Sequence, residues 1–419
     1  MTRIKFAPES RLRRRLLTGA AGAGALALMP VRVTAGAIGG TAELGFTELP
    51  DGTLAEQNLQ ALPGKVPLIR KTARPPNFET PIEYFRTPIT RNDAFFVRWH
   101  LSSIPALDAA SWALTVGGDS VQHEQRFTLA QLRSEFEPAY VTAVCQCSGN
   151  RRGLFEPHVP GVQWGVGAMG NAAWRGVRVK DVLARAGLKG DAVEVAFNGA
   201  DRGALDGIPD FVKSLPIETA LDPDTLIAFE MNGGPLPPMN GYPARLVVPG
   251  WTGTYWVKSL VGIRATPTPE TNFWMSTAYR LPRGKFRTPS FKSQVKEANE
   301  PITTMVVNSL VTSLRAGLQI PRGRPMEVRG LAWDAGSGIA QVDVSIDAGE
   351  TWRPATLGKD LGRYSFREFE LHVSAVGRGA HVVMARATSR AGETQVEQLI
   401  QNPAGYHHNV IQRVRVEVV

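Results

Sequence analysis

The sequence predicts an α+β fold, in which a β-rich first region is followed by an all-β sandwich of immunoglobulin-like type. Three observations predict it. The 419 residues include 42 glycines and 30 prolines, which implies many turns and few long helices. Strand-length apolar or alternating runs recur, each bounded by Gly, Pro, Asp or Asn. Beyond a Pro- and Lys-containing stretch at 282–301 the helical patterns stop and only strand patterns remain.

Taken in order, residues 1–37 carry seven Arg or Lys against the single Glu9. Arg13-Arg14-Arg15 precedes a short, glycine-rich apolar run, and Ala35-Gly36-Ala37 offers a cleavage site. This layout resembles a twin-arginine export signal and implies a periplasmic protein exported already folded. Residues 38–295 are expected to form the first domain. Its opening, 38–90, is broken by Pro63, Pro67, Pro75, Pro76, Pro81 and Pro88 and reads as extended chain wrapping a core. Strands are expected at 95–101, 112–116, 140–147, 192–197, 226–231, 245–248 and 257–263, with short helices at 129–136 and 179–188. Residues 296–419 are expected to form the sandwich, with strands at 305–311, 326–333, 342–346, 366–372, 381–387 and 411–418.

The formal charge of +9 is concentrated at the N-terminus, whose surplus of six leaves three positive charges for the rest. That balance predicts no nucleic-acid partner. No later segment has 18 uninterrupted apolar residues, so no membrane span is expected. The only cysteines, Cys145 and Cys147, are too close for an unstrained disulfide and lack the histidines of a zinc site. Both face the same way if the segment is a strand, so periodicity does not choose between them. Arg151 and Arg152 follow closely, and guanidinium groups favour the thiolate that bonds a transition metal. His407 and His408 are adjacent, and adjacent residues on a strand face opposite ways, so a surface role is expected of them rather than a metal site.

The segment Cys147-Ser148-Gly149-Asn150-Arg151-Arg152 closely resembles the cysteine motif of the sulfite oxidase family of molybdenum enzymes. That resemblance selects Cys147 as the single protein ligand to molybdenum and leaves Cys145 as packing. Further segments match in the same order. Phe96-Val97-Arg98-Trp99-His100 resembles the stretch that lines the cofactor and turns its arginine to the substrate anion. Trp174 to Leu183 resembles a structural strand-to-helix junction. Asp201 matches a pterin contact. Met231-Asn232-Gly233 through Pro249-Gly250-Trp251 is the longest match and implies Arg245 near the cofactor phosphate, as Trp256-Val257-Lys258 does for Lys258. Asn240 stands where many members carry a histidine. Tyr279 matches the active-site tyrosine.

The resemblance implies a molybdenum-molybdopterin cofactor with one pterin, and oxidation of sulfite to sulfate. Arg98 and Arg152 would hold the anion, Tyr279 would orient it or the reacting oxygen, and His100 would help couple the pocket to the electron acceptor. The sandwich corresponds to a dimerisation-type domain, implying a homodimer. The sequence has no Cys-x-x-Cys-His and no recognisable haem or flavin domain, so electrons are expected to leave to a c-type cytochrome, as subunit or diffusing partner. Two alternatives stand beside this: a sulfane dehydrogenase-like molybdenum subunit, and a cofactor-free periplasmic binding protein built on the sandwich.

Overall fold

The computed structural model describes residues 59–283, 299–374 and 376–419; the expected export signal at 1–37 lies outside them. Among the described residues three larger sheets build the first region, and Arg280–Pro282 at its end pairs with Asn299–Pro301 in a two-stranded one. Leu59–Gln60, Leu68–Thr72, Asn77–Glu79 and Val97–Arg98 form an antiparallel sheet in chain order. The expectation of loop-like chain is thereby corrected for part of 38–90. Its prolines fall between the strands, where Pro75 and Pro76 make the hairpin and the Thr72 hydroxyl donates to the Pro75 carbonyl at 2.6 Å. Prolines that punctuate rather than interrupt leave the ladder intact.

A five-stranded sheet runs Val212–Pro216, Glu194–Gly199, Leu260–Thr266, Ala113–Gly117, Gln125–Thr128, antiparallel except where Leu260–Thr266 meets Ala113–Gly117. The third sheet places Met169–Arg178 between Ala139–Gln146 and Leu226–Met231, with Arg245–Val247 on the far side of the latter. Helices are short. Leu129–Glu135 begins at a capping box in which the Thr128 hydroxyl and the Gln131 side chain satisfy each other's backbone N–H groups. Val179–Arg185 buries Val179, Val182 and Leu183 and stops before Gly187, whose φ is +74°.

The C-terminal region is all β, as expected. One sheet orders Asn308–Val311, Met326–Trp333, Arg367–Val373, Thr356–Leu357. The other orders Leu318–Ile320, Arg413–Val418, Gly379–Ser389, Ile339–Ser345, Arg353–Pro354. Val328, Val342, Val383 and Val414 fill the space between them. Alternating strands with one face buried on each sheet make this a sandwich.

The sandwich packs onto the first region through Val144, Met169, Leu310, Trp333 and Phe366, which share one apolar cluster. Polar stitches surround it. The Val144 amide donates to the Tyr364 carbonyl at 2.9 Å, and the Trp333 indole to the Gln146 side chain at 2.8 Å. Arg151, 1% exposed, donates to the Asn308 side chain and to the Ser309 carbonyl, each at 2.7 Å. Burial without a carboxylate partner pulls its pKa down to about 9.

Candidate active site

The strand Ala139–Gln146 ends where the chain turns through Cys147–Arg152, and this turn is fixed from both sides. The Cys147 amide donates to the Ala168 carbonyl at 2.9 Å, and the Asn150 side chain accepts from the Ala168 amide at 3.1 Å. Arg151 closes the turn in the left-handed region at φ 67°. Cys147 is thereby held at the wall of a cavity that Cys145 also lines. Both thiols are free and buried.

The cavity gathers side chains from distant segments. Arg98 and His100 enter from the end of Val97–Arg98, Asn240 and Arg245 from the turn before Arg245–Val247, Lys258 from the approach to Leu260–Thr266, and Tyr279 from beyond the short helix Phe273–Ser276. Phe96 also lines it. The Tyr279 hydroxyl meets His100 Nε2 in a short hydrogen bond and lies 3.4 Å from Arg98 Nη2. Tyr279 reaches this position with φ 58°, a conformation that non-glycine residues adopt at a cost. His100 stacks on Phe211 at 3.7 Å between ring centroids. Burial lowers the His100 pKa well below the usual imidazole value, and Arg98, Lys258 and Lys213 push it the same way. The pair is therefore a neutral imidazole against a phenol.

The remaining residues singled out by sequence stand behind the wall. Trp99 carries Lys258 on its ring face at 4.6 Å, and Val97 packs with Leu68 and Phe78. Trp256 offers its carbonyl to Arg245 Nη2 at 3.0 Å, and the Val257 carbonyl accepts from the Leu246 amide. Asp201 is buried near Lys258; burial raises its pKa and Lys258 opposes that. Asn240 is engaged within the protein at both ends, accepting from Lys65 Nζ at 2.5 Å and donating to the Phe96 carbonyl at 2.9 Å.

Arg152, expected at the anion, is placed behind the cavity wall. Its guanidinium donates to the Ala404 and Val162 carbonyls at 3.0 and 3.2 Å and covers the Tyr406 ring at 5.1 Å. Tyr406 in turn stacks on Tyr279 at 5.8 Å, so Arg152 reaches the cavity through two rings. The expected surface position of His407-His408 is also corrected. Neither lies on a strand, and φ 55° at His407 turns the chain so that His408 is buried against Phe155. Its pKa falls to about 3, first through burial and then through Arg151.

Lys65, Lys213, Thr254 and Tyr406 escaped the sequence reading. Lys65 holds Asn240, Thr254 lines the cavity, and Lys213 and Tyr406 back Tyr279. None sits in a contiguous motif. The one available signal was a lysine in the strand Val212–Pro216 flanked two positions either side, on the same face, by apolar Phe211 and Leu215.

These groups fit an anionic molybdenum-pterin. Arg98, Arg245 and Lys258 converge on the cavity, and the Arg245 Nε atom is buried without a hydrogen-bond partner. Unmatched buried donors and cations imply a bound anion. Among the described residues no cluster of three or more His, Cys, Asp or Glu could chelate a bare ion. A metal at the Cys147 thiol is thus one that brings its own ligands, and a thiolate suits a soft transition metal. Arg245 and Lys258 would hold the phosphate, and Cys147 the molybdenum.

The buried lysines make the folded protein's stability depend on pH. Burial lowers Lys65 and Lys213 to about 7 and Lys258 to about 8, against an ordinary 10.5. Between those values and 10.5 the unfolded chain holds protons that the folded chain has released, so stability rises with pH. Cofactor-free protein is expected to melt at a higher temperature at about pH 9 than at about pH 7, each lysine contributing up to roughly 1.4 kcal/mol per pH unit. A melting temperature that falls over this interval contradicts these assignments.

Comparison with known proteins places the chain. The oxidoreductase molybdopterin-binding domain model matches residues 100–274, and the Mo-co oxidoreductase dimerisation domain model matches 299–419. Sulfite oxidase of Gallus gallus is 34% identical over 76% of this chain and 70% of its own length. Mitochondrial sulfite oxidase of Rattus norvegicus is 32% identical over 85% of this chain and 67% of its own. The sulfane dehydrogenase SoxCD from Paracoccus pantotrophus superposes with a TM-score of 0.73 at 25% identity, covering 94% of this chain and 97% of that one. The chain belongs to the sulfite oxidase family of molybdenum-molybdopterin oxidoreductases.

Proposed function

We propose that this protein oxidises sulfite to sulfate in the periplasm and passes the electrons to a c-type cytochrome. The observation that carries the reading is the convergence of Arg98 and Lys258 on the cavity that holds the Cys147 thiol and Tyr279. A small dianion gains most from such a site, because charge-assisted hydrogen bonds strengthen where water is excluded.

The molybdenum-pterin, when bound, supplies oxygen-atom transfer and takes up the electron pair. The chain supplies the rest. Arg98 turns an N–H toward the cavity and orients the substrate oxygens. Tyr279 and neutral His100 form one hydrogen-bonded unit at the substrate, in which the phenol donates to the unprotonated imidazole nitrogen and its oxygen is left to accept from Arg98, so the hydroxyl is fixed toward the cavity. Phe95, Phe96 and Met239 line the cavity and restrict water.

A second reading, oxidation of a sulfane-type substrate, is supported by the fold match to SoxCD over nearly the whole chain. Purified metal-loaded protein separates the two. Sulfite oxidation predicts about one molybdenum per chain and sulfite-dependent reduction of cytochrome c. Reduction only by a sulfane sulfur donor selects the second reading, and metal-free folded protein inactive on both ends the enzyme reading. The dimerisation-domain match supports a homodimer through the sandwich.

A further inference from the structure

Lys213 is 1% exposed in the strand Val212–Pro216, and it does not line the cavity. Its ammonium makes one described hydrogen bond, to the Trp274 carbonyl at 2.8 Å. On its other sides lie two aromatic faces, Tyr255 at 4.3 Å and Tyr279 at 5.3 Å to the ring centroids. An ammonium has three donors, and burying one with a single acceptor is costly unless its charge is used. The nearest carboxylate acting on it, Glu194, is committed to the Ser214 hydroxyl at 2.6 Å and the Glu270 amide at 2.9 Å.

We propose that Lys213 is a positioning residue of the anion pocket. Its ammonium, pressed on the back of Tyr279, fixes that ring and adds positive potential that strengthens the hold on a doubly charged sulfur oxyanion. This rests on the oxyanion reading above. Aromatic faces suit the task because they hold a cation through the ring quadrupole without neutralising it. A carboxylate in the same place would cancel the field at the substrate. Three features agree. Lys213 already acts on His100, disfavouring a second positive charge there. Its anchor, the Trp274 carbonyl, belongs to the short helix leading into Tyr279, so one side chain ties the strand to the segment that presents the phenol. Trp274 itself packs against His100 and Tyr279, so the anchor touches both members of the pair.

The groups facing Lys213 are Glu194 from the adjacent strand, Tyr255 from the turn Gly253–Tyr255, and Tyr279 and Arg280 from the segment beyond the helix, with His100 further in. Of these, Arg280 lowers and Glu194 raises its pKa, and burial outweighs both to leave it at about 7. The charge is thus present below that value and lost above it.

The test uses metal-loaded protein and sulfate as probe, because sulfate stays doubly charged near neutrality and any pH dependence belongs to the protein. Calorimetric affinity for sulfate is measured at about pH 6 and about pH 8 for wild type, Lys213→Gln, Lys213→Met and Lys213→Arg. The two neutral variants guard against one failing to fold, with molybdenum content and melting temperature as controls. Both neutral variants are expected to bind sulfate about tenfold more weakly than wild type at about pH 6. Lys213→Arg should bind like wild type at about pH 6 and lose less affinity than wild type by about pH 8, the loss that remains being that of Lys258, whose pKa is about 8. Neutral variants that bind as wild type does, or an arginine variant that weakens with pH as wild type does, overturn the proposal. Wild-type protein that binds no sulfate overturns the oxyanion reading and this proposal with it.

Discussion

Cys147→Ser is expected to lower sulfite turnover at least about a thousandfold, equivalent to about 4 kcal/mol of transition-state stabilisation. The turn that presents residue 147 is held by backbone bonds to Ala168 and by the Asn150 side chain, none of which involves the sulfur. The variant should therefore fold and keep its cavity, with the loss confined to the ligand. A serine oxygen is hard and protonated at neutral pH, whereas a thiolate is soft and readily formed. Cys145→Ser is the matched control. Its sulfur lines the same cavity 3.9 Å from Arg245 Nη2, and burial raises its pKa against the pull of Arg245 and Lys258. A neutral hydroxyl replaces a neutral thiol there, and turnover should stay within a fewfold of wild type. Steady-state assays with molybdenum analysis decide the matter, and the opposite pattern would transfer the ligand role to Cys145.

Arg98→Met should reduce kcat/KM for sulfite by roughly two to three orders of magnitude, mainly through KM. Arg98 is anchored by the Asn77 side chain at 3.2 Å and by the Trp99 carbonyl, leaving its second amino group toward Tyr279 and the cavity. Methionine keeps the bulk and removes the charge. A second signature follows, because Arg98 is the leading charge that lowers the His100 pKa after burial. Without it the imidazole protonates at higher pH, so the acidic limb of the rate profile should move upward. An unchanged KM with an unmoved limb would remove Arg98 from the pocket.

The parts of this site legible in sequence are those carried on contiguous stretches. Cys147 stands in a turn whose Gly149 leaves room for the Arg152 guanidinium, 2.5 Å from where a Cβ would lie, so the whole string is constrained together. The stretch 96–100 brings three cavity residues, Phe96, Arg98 and His100, from a single strand end. What was hidden depends on long-range packing. Lys65 meets Asn240 across 175 residues, and nothing local marks either as the other's partner. Arg152 was expected at the anion because its motif is, yet its acceptor at Ala404 lies 252 residues away. Lys213 looks like an ordinary strand residue until Tyr255 and Tyr279 fold over it. The first sheet escaped for a different reason, since proline-rich spacing masks strands as short as Asn77–Glu79. The sandwich was legible because alternation over strands such as Met326–Trp333 is a long signal with one reading.

The two arginines after Cys147 have an effect on the order of assembly. Arg151 finds its partners at Asn308 and Ser309, and Arg152 at Ala404. A growing chain that has emerged only as far as its first domain can lay down the strand Ala139–Gln146 but leaves both guanidinium groups without those acceptors. The turn carrying the thiol is shaped by Ala168 and Asn150 within the first domain, but its two arginines are satisfied only once the sandwich has closed on it. A truncation that trims the distal sandwich is therefore expected to lower molybdenum content even with the cavity residues intact, which metal analysis of the truncated protein checks.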